Sequence, residues 1–368
     1  MNDVLLVGLG AVGAIYSLIL KRSGKARLTV VARSNYDVVR TQGLTFRSQR
    51  YGEIRGWQPD RLCKSIEEAT DRQYSHVFIT TKAVPEITKT PDIVTPFLQS
   101  PYADKYSQPT YILMQNGLGV ERDLYKAIRN LGKGEPRVIG TAHRIATNLI
   151  APNVVEHNTL DTICLGIYRF DDMTTSTNTP EENALLEEVN EMLLAGGSDA
   201  IVVPQIQWAK FKKNFWNVAF SSIATLSGYP LMAFFRHPPT EETGPYEPYV
   251  HPITADKIAT HTLPNIKALL LEMLALGRAI GIPDSEEGVP STHVDAVLKF
   301  TMDLHTRADS FHKPSMLLDM ERNLPLEVEV ILGEVVHLAK QHKVDVPRIE
   351  MLYSLLLVVQ NQLLQKRK

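Results

Sequence analysis

Cysteine is scarce in this chain of 368 residues: there are two, Cys63 and Cys164, far apart and in no Cys-x-x-Cys arrangement. That excludes a disulfide framework, a dithiol redox motif and a cysteine-based metal site, and it fits a reducing compartment. Charge of one sign is not in excess either. Lysine and arginine number 39 against 41 acidic residues, for a net charge of -2, which gives no electrostatic reason to expect nucleic acid or an anionic membrane as partner. No apolar run approaches the ~20 residues of a membrane span. The first strand signal starts within a few residues of Met1, so no signal or transit peptide is expected and a cytoplasmic setting is. The basic end Gln365-Lys366-Arg367-Lys368 matches no targeting address. What remains is ordinary for a globular protein, 44% hydrophobic and 22% charged, and long enough for two domains with cores of their own.

The most informative stretch is the beginning. Val4-Leu5-Leu6-Val7 is a short apolar run, followed by Gly8-Leu9-Gly10-Ala11-Val12-Gly13 and a helical pattern from Ala14 to Arg22. Read as G-x-G-x-x-G, Gly8 permits a tight turn, Gly10 lets a pyrophosphate approach the backbone, and Gly13 lets the helix pack closely on the strand. The free N–H groups of the first helical turn then face the phosphate. The motif alone is weak, but here a strand precedes it, a helix follows, and a second strand, Leu28–Ala32, lies beyond. An acid is missing where an NAD-preferring site would place one: the second strand ends in Val31-Ala32-Arg33-Ser34-Asn35. Arg33 and Ser34 suit a 2′-phosphate, so NADPH is the expected cofactor.

Strand and helix signals alternate to about residue 204. Asn35–Gln42 reads as helix, Leu44–Arg47 and Tyr51–Trp57 as a hairpin, and His76–Thr81 as a buried parallel strand. Ala83–Leu98 reads as a helix interrupted by Pro85, Pro91 and Pro96. Tyr111–Met114, Val138–Ala146, Val154–His157, Thr162–Gly166 and Ala200–Val203 read as further strands, and Glu181–Ala195 as helix. Beyond Pro204 the period is helical throughout, apart from a proline-rich excursion at 229–252. An α/β Rossmann-type domain at 1–204 followed by an all-α domain at 205–368 is therefore expected.

In an open parallel sheet, ligands sit at the carboxyl ends of strands. Lys82, after Phe78-Ile79-Thr80-Thr81, and Asn116, after Met114-Gln115, are the distinctive polar residues there, although a solvated lysine and a turn asparagine are the bland readings. In the helical half, Lys213, Asn217 and Ser221 recur every four residues and are expected to share a helix face. A lysine among hydrogen-bonding groups is what a carbonyl reductase needs, because its ammonium can donate a proton to the ketone oxygen as hydride arrives. Three clustered lysines (Lys210, Lys212, Lys213) are equally consistent with a basic surface stripe. A second polar cluster runs from Lys313 through Ser315 and Asp319 to Arg322, with Glu327 beyond it. A first-turn glutamate favoured by the helix dipole is the plain reading of Glu327.

Together, the glycine motif, Thr-Lys82-Ala, Gln-Asn116-Gly, a Lys-x3-Asn helix, and Ser315-Met-Leu-x-Asp319 with Glu327 resemble the ketopantoate reductases, the 2-dehydropantoate 2-reductases of pantothenate synthesis. The resemblance spans nearly the whole chain. It implies a Rossmann-type domain, a helical C-terminal domain that binds substrate and serves dimerisation, NADPH, and a small 2-oxo acid substrate. Gly8, Gly10, Gly13, Arg33, Lys82 and Asn116 correspond to cofactor contacts, and Ser315 to the serine that binds the substrate carboxylate. Glu327 corresponds to the acid that supports the catalytic lysine. Two registers compete for that lysine. Lys210 with Asn214 keeps a tryptophan two residues earlier. Lys213 with Asn217 fits the apolar continuation Phe220–Leu226 and is preferred, with Asn217 and Ser221 as substrate contacts. Ser221 then departs from the family's second asparagine, and the 229–252 excursion is a second departure. Another branched 2-oxo acid, or a non-catalytic NADP(H)-binding sensor, stays open beside ketopantoate.

Overall fold

The computed structural model describes residues 1–241, 246–307 and 309–367; part of the excursion, 242–245, and the last residue of the basic tail lie outside the described residues. Two compact units divide the chain, Met1–Lys210 and Phe211–Lys368.

The first unit is built on a ten-stranded sheet. β1 (Asn2–Val7), β2 (Ala26–Val31), β5 (Arg61–Cys63), β6 (His76–Ile79), β7 (Thr110–Leu113) and β8 (Val138–Ala151) lie in the order β5-β2-β1-β6-β7-β8, all parallel. This is the doubly wound order in which the chain reverses direction across the sheet between β1 and β6. The central strands are short and mostly apolar, in keeping with burial on both faces: Val4–Val7, His76–Ile79 and Thr110–Leu113 are all buried. The sheet continues through β9 (Val154–Ile167), antiparallel to β8. β9 also pairs in parallel with β3 (Leu44–Ser48) and β10 (Asp199–Val202), and β4 (Gly52–Trp57) closes the far edge against β3. Helices α1 (Ala11–Arg22) and α7 (Pro180–Gly196) cover one face together, and α1 is buried from Gly13 through Leu20. α2 (Tyr36–Gln42) follows β2, and α6 (Arg122–Asn130) follows β7.

Three sequence expectations need correction. Ala83–Leu98 is not one helix: only the short turns α3 (Thr90–Ile93) and α4 (Thr95–Leu98) form, each opening on the proline at its second position, and α5 (Tyr102–Lys105) follows. A proline inside a helix removes a hydrogen bond and clashes with the preceding turn, so three of them reset the chain. Val154–His157 and Thr162–Gly166 belong to one strand, because β8 runs on past Ala146 and pairs with both, Ile145 with Asp161 and Thr147 with His157, across a register shift. β5 was too short to show in the pattern.

The second unit is helical: the C-terminal part of α8 (Ile206–Trp216), α9 (Ser222–Ser227), α10 (Met232–Phe235), α11 (Pro252–Lys257), α12 (Leu263–Ala279), α13 (His293–Thr306), α14 (Ser315–Glu321), α15 (Glu334–His342) and α16 (Pro347–Gln365). π-helical turns occupy 217–221, 258–262 and 329–333. Phe211, Phe215, Leu270, Met273, Leu332 and Ile349 belong to its core.

Candidate active site

The turn after β1 is held as a dinucleotide would require. Gly8 has φ +103°, its N–H donates to the Val31 carbonyl (3.1 Å), and its own carbonyl accepts from the Thr80 hydroxyl (2.6 Å). A Cβ at Gly13 would lie 2.0 Å from the Gly8 oxygen, whereas one at Gly10 would meet nothing within 4 Å. Gly13 is thus fixed by helix packing, and Gly10 faces open space. α1 has no side-chain cap and no acid in its first turn, so its leading N–H groups and dipole are left for an anion. Arg33 and Ser34 are exposed just beyond β2, and the Arg33 guanidinium has no hydrogen bond or ion pair among the described residues.

Lys82 and Asn116 stand three residues beyond β6 and β7. The register pairs Ile79 with Leu113, so both emerge at the same level of the sheet. Two residues that the pattern did not single out shape these strand ends. The buried Gln115 donates to the Thr81 hydroxyl (3.3 Å) and accepts from Thr90 (3.1 Å). The buried Asn35 donates to the carbonyls of Leu9 (2.9 Å) and Pro152 (3.2 Å), tying the loop after β2 to the glycine turn. A polar residue next to a motif carries no sequence signal of this kind; only the fold supplies the partners.

Beyond Gly117 and Gly119, both at positive φ, Glu121 is buried and ion-paired with Lys210. Two glycines of the sheet leave room beside Glu121 and Ile206. Gly140 and Gly166 are paired across β8 and β9; a Cβ on Gly140 would fall 2.9 Å from the Glu121 carboxylate, and one on Gly166 2.9 Å from Ile206.

In the helical unit, Lys213 and Asn217 are half-buried, but Ser221 is 1% exposed and its hydroxyl has no hydrogen-bond partner among the described residues. The segment 217–221 is a π-helical turn, so Asn217 and Ser221 are not related by the α-helical spacing that the sequence reading assumed. Ser222, five residues on, is the one that reaches the Asn217 carbonyl (3.5 Å). Ser315 is exposed at the first position of α14, which packs on the 217–221 turn and α9. Glu327 is 5% exposed and precedes the 329–333 turn. Among the described residues no cluster of His, Cys, Asp and Glu could hold a metal ion, and no helix is long and apolar enough to cross a membrane.

Residues 4–169 match the family profile described as ketopantoate reductase PanE/ApbA, and residues 255–360 match its C-terminal counterpart. The chain belongs to the ketopantoate reductase family. It is accordingly an NAD(P)-dependent oxidoreductase acting on CH–OH groups, and a reductase of 2-oxo acids. It is 26% identical to a 2-dehydropantoate 2-reductase of Mesorhizobium japonicum, over 96% of both chains. An uncharacterized protein of Saccharomyces cerevisiae is 24% identical, over 100% of this chain and 96% of its own length. The crystal structure of 2-dehydropantoate 2-reductase from Methylococcus capsulatus superposes with a TM-score of 0.73 at 23% identity, covering 98% of this chain and 97% of that one.

Against that family pattern, the 229–252 excursion is bound into the helical unit. It contains α10, and Arg236 just beyond it is buried and donates to the carbonyls of His305 (3.3 Å) and Ser310 (2.7 Å). Phe235 joins a circuit of aromatic rings with Phe220, Trp216, His312 and His305, at centroid distances of 5.6–6.4 Å. The excursion therefore braces the segment that leads into Ser315.

Proposed function

We propose that this reductase converts 2-dehydropantoate to pantoate with NADPH. The observation that carries the cofactor is the exposed Arg33, unpaired among the described residues, beside Ser34 at the end of β2, where a carboxylate would otherwise read the ribose hydroxyls. Gly8, Gly10 and Gly13 hold the pyrophosphate, and Lys82 and Asn116 line the nucleotide site from the ends of β6 and β7. Bound NADPH supplies hydride to the ketone carbon. Lys213 hydrogen-bonds the ketone oxygen and delivers the proton it needs, Glu327 keeps that lysine charged and oriented, and Ser315 donates to the substrate carboxylate. Asn217 is the polar partner for the substrate hydroxyl.

One observation favours a second reading within the same chemistry. Ser221 stands where the resemblance places a second asparagine, yet it is buried, so ketopantoate's hydroxyl has less to bond to. A branched 2-oxo acid without that hydroxyl is the alternative substrate. Sites that hydrogen-bond a substrate hydroxyl reject the analogue lacking it strongly, whereas apolar pockets barely discriminate. The test is NADPH oxidation with ketopantoate, 3,3-dimethyl-2-oxobutanoate and a panel of other 2-oxo acids. Preference for ketopantoate supports the first reading, and equal or better use of the deoxy acid supports the second. No turnover of any 2-oxo acid would overturn both.

A further inference from the structure

Glu327 sits on a stretch of backbone with no regular structure of its own, between α14 and the helix that opens with the 329–333 π turn. Such a segment leaves its peptide groups to be satisfied by side chains. At Leu326, the residue immediately before Glu327, one side chain does both. The amide of Gln360, on α16, accepts from the Leu326 N–H (2.8 Å) and donates to the Leu326 carbonyl (3.0 Å). These two bonds fix which way round the amide lies, because the opposite orientation would set donor against donor and acceptor against acceptor. Gln360 is 2% exposed, one turn from the buried Leu356 and Leu363.

The other side of Glu327 is held from the same helix. Tyr353, two turns before Gln360, donates its hydroxyl to the Glu329 carboxylate (2.7 Å). That carboxylate lies over Gly333, where a Cβ would come within 2.7 Å of it. α16 thus grips the chain at positions 326 and 329 and brackets Glu327 between them. A buried glutamine is costly to bury unless its amide is satisfied, and here its bonds go to the backbone of the residue adjoining a candidate catalytic carboxylate.

We infer that Gln360 is a positioning residue that sets the Glu327 carboxylate for its work on the proton-donating lysine. The inference rests on the reading of Glu327 given above, and the test separates the two. Gln360→Met keeps the side-chain length and removes both bonds. It is expected to lower kcat by about 10- to 10²-fold, the usual cost of a misplacement of about 1 Å, to shift the pH profile of kcat, and to leave the Kd for NADPH within about twofold of the parent's. Added to Glu327→Gln, it should cost nothing further in kcat, since residues acting through one another are not additive. If Glu327→Gln itself leaves kcat unchanged, the reading of Glu327 fails. If Glu327→Gln abolishes turnover while Gln360→Met lowers only the unfolding midpoint, or lowers kcat equally in both backgrounds, the positioning role is overturned. Should Gln360→Met not fold, Tyr353→Phe loosens the other side of the bracket. It is expected to give a smaller change with the same pattern; unchanged kcat and pH profile there would overturn the inference.

Discussion

The Lys210 ammonium is ion-paired with the Glu121 carboxylate, and the two side chains are 4% and 2% exposed. An ion pair this deep is strongly destabilising to break from one side, because the surviving charge stays buried without compensation, typically at about 3–5 kcal/mol. Lys210→Met should therefore lower stability to urea by about that amount, and Lys210→Met combined with Glu121→Met should recover much of it. Lys213, three residues on, is half-buried. Lys213→Ala should leave the unfolding midpoint near the parent's and cut kcat by about 10²–10⁴, the range for a lost general acid. If Lys210→Met spared stability and abolished turnover, the proton donor would be Lys210.

Gly10 and Gly13 belong to one motif but should fail differently. A methyl group at Gly13 collides with the Gly8 carbonyl at 2.0 Å, a backbone atom that cannot swing aside. Gly13→Ala is expected to cost about 1–3 kcal/mol or more of stability, as overpacking does. At Gly10, φ is -77° and a Cβ meets nothing, so Gly10→Ala should fold as well as the parent but raise the Kd for the dinucleotide. Urea unfolding beside cofactor titration separates the two; unchanged cofactor binding in Gly10→Ala would remove that residue from the phosphate site.

Arg33 carries the choice between cofactors. Only NADPH bears the 2′-phosphate, so Arg33→Ala should weaken NADPH by about 1.5–3 kcal/mol, the worth of a hydrogen bond to a charged group, and barely affect NADH. The comparison is of Kd by fluorescence titration with each cofactor; equal losses would sink the assignment.

Much of this layout was legible before the fold was known, and the reasons differ from residue to residue. Gly8, Gly10 and Gly13 announce themselves because a backbone conformation and a close approach each demand glycine at fixed spacing. The change from alternating to helical period after Pro204 marks the move to helices. The π turn between Asn217 and Ser221 was not legible, because sequence spacing assumes an unbroken α-helix and nothing in Asn-Val-Ala-Phe-Ser betrays the change. Gln360, Gln115 and Asn35 were invisible for another reason. Each is a common polar residue whose partners, backbone groups for Gln360 and Asn35 and threonine hydroxyls for Gln115, lie far away in the chain and are brought to it only by the tertiary fold.

His305 gives the helical unit a dependence on pH. Its ring is fully buried, with Nδ1 2.7 Å from the Thr301 carbonyl, and the His312 ring packs 5.6 Å away. Burial lowers its pKa below the ordinary histidine value, and the nearby Arg236 charge lowers it further, against the opposing pull of the Thr301 carbonyl. The unfolded chain then binds a proton near pH 6.5 that the folded chain refuses. Stability from this group is complete above that pH and is lost as pH falls from about 6.5 toward the lower folded pKa, by at most about 1.4 kcal/mol per pH unit. His76 and His157 in the other unit are also pushed down by burial and act in the same direction. His305→Phe, which keeps a ring but cannot be protonated, should be less stable than the parent at pH 7.5, having lost the Thr301 bond. It should also lose less stability between pH 7.5 and pH 5. Urea unfolding at the two pH values measures both differences, and an equal loss in parent and variant would show that His305 is not part of the acid response.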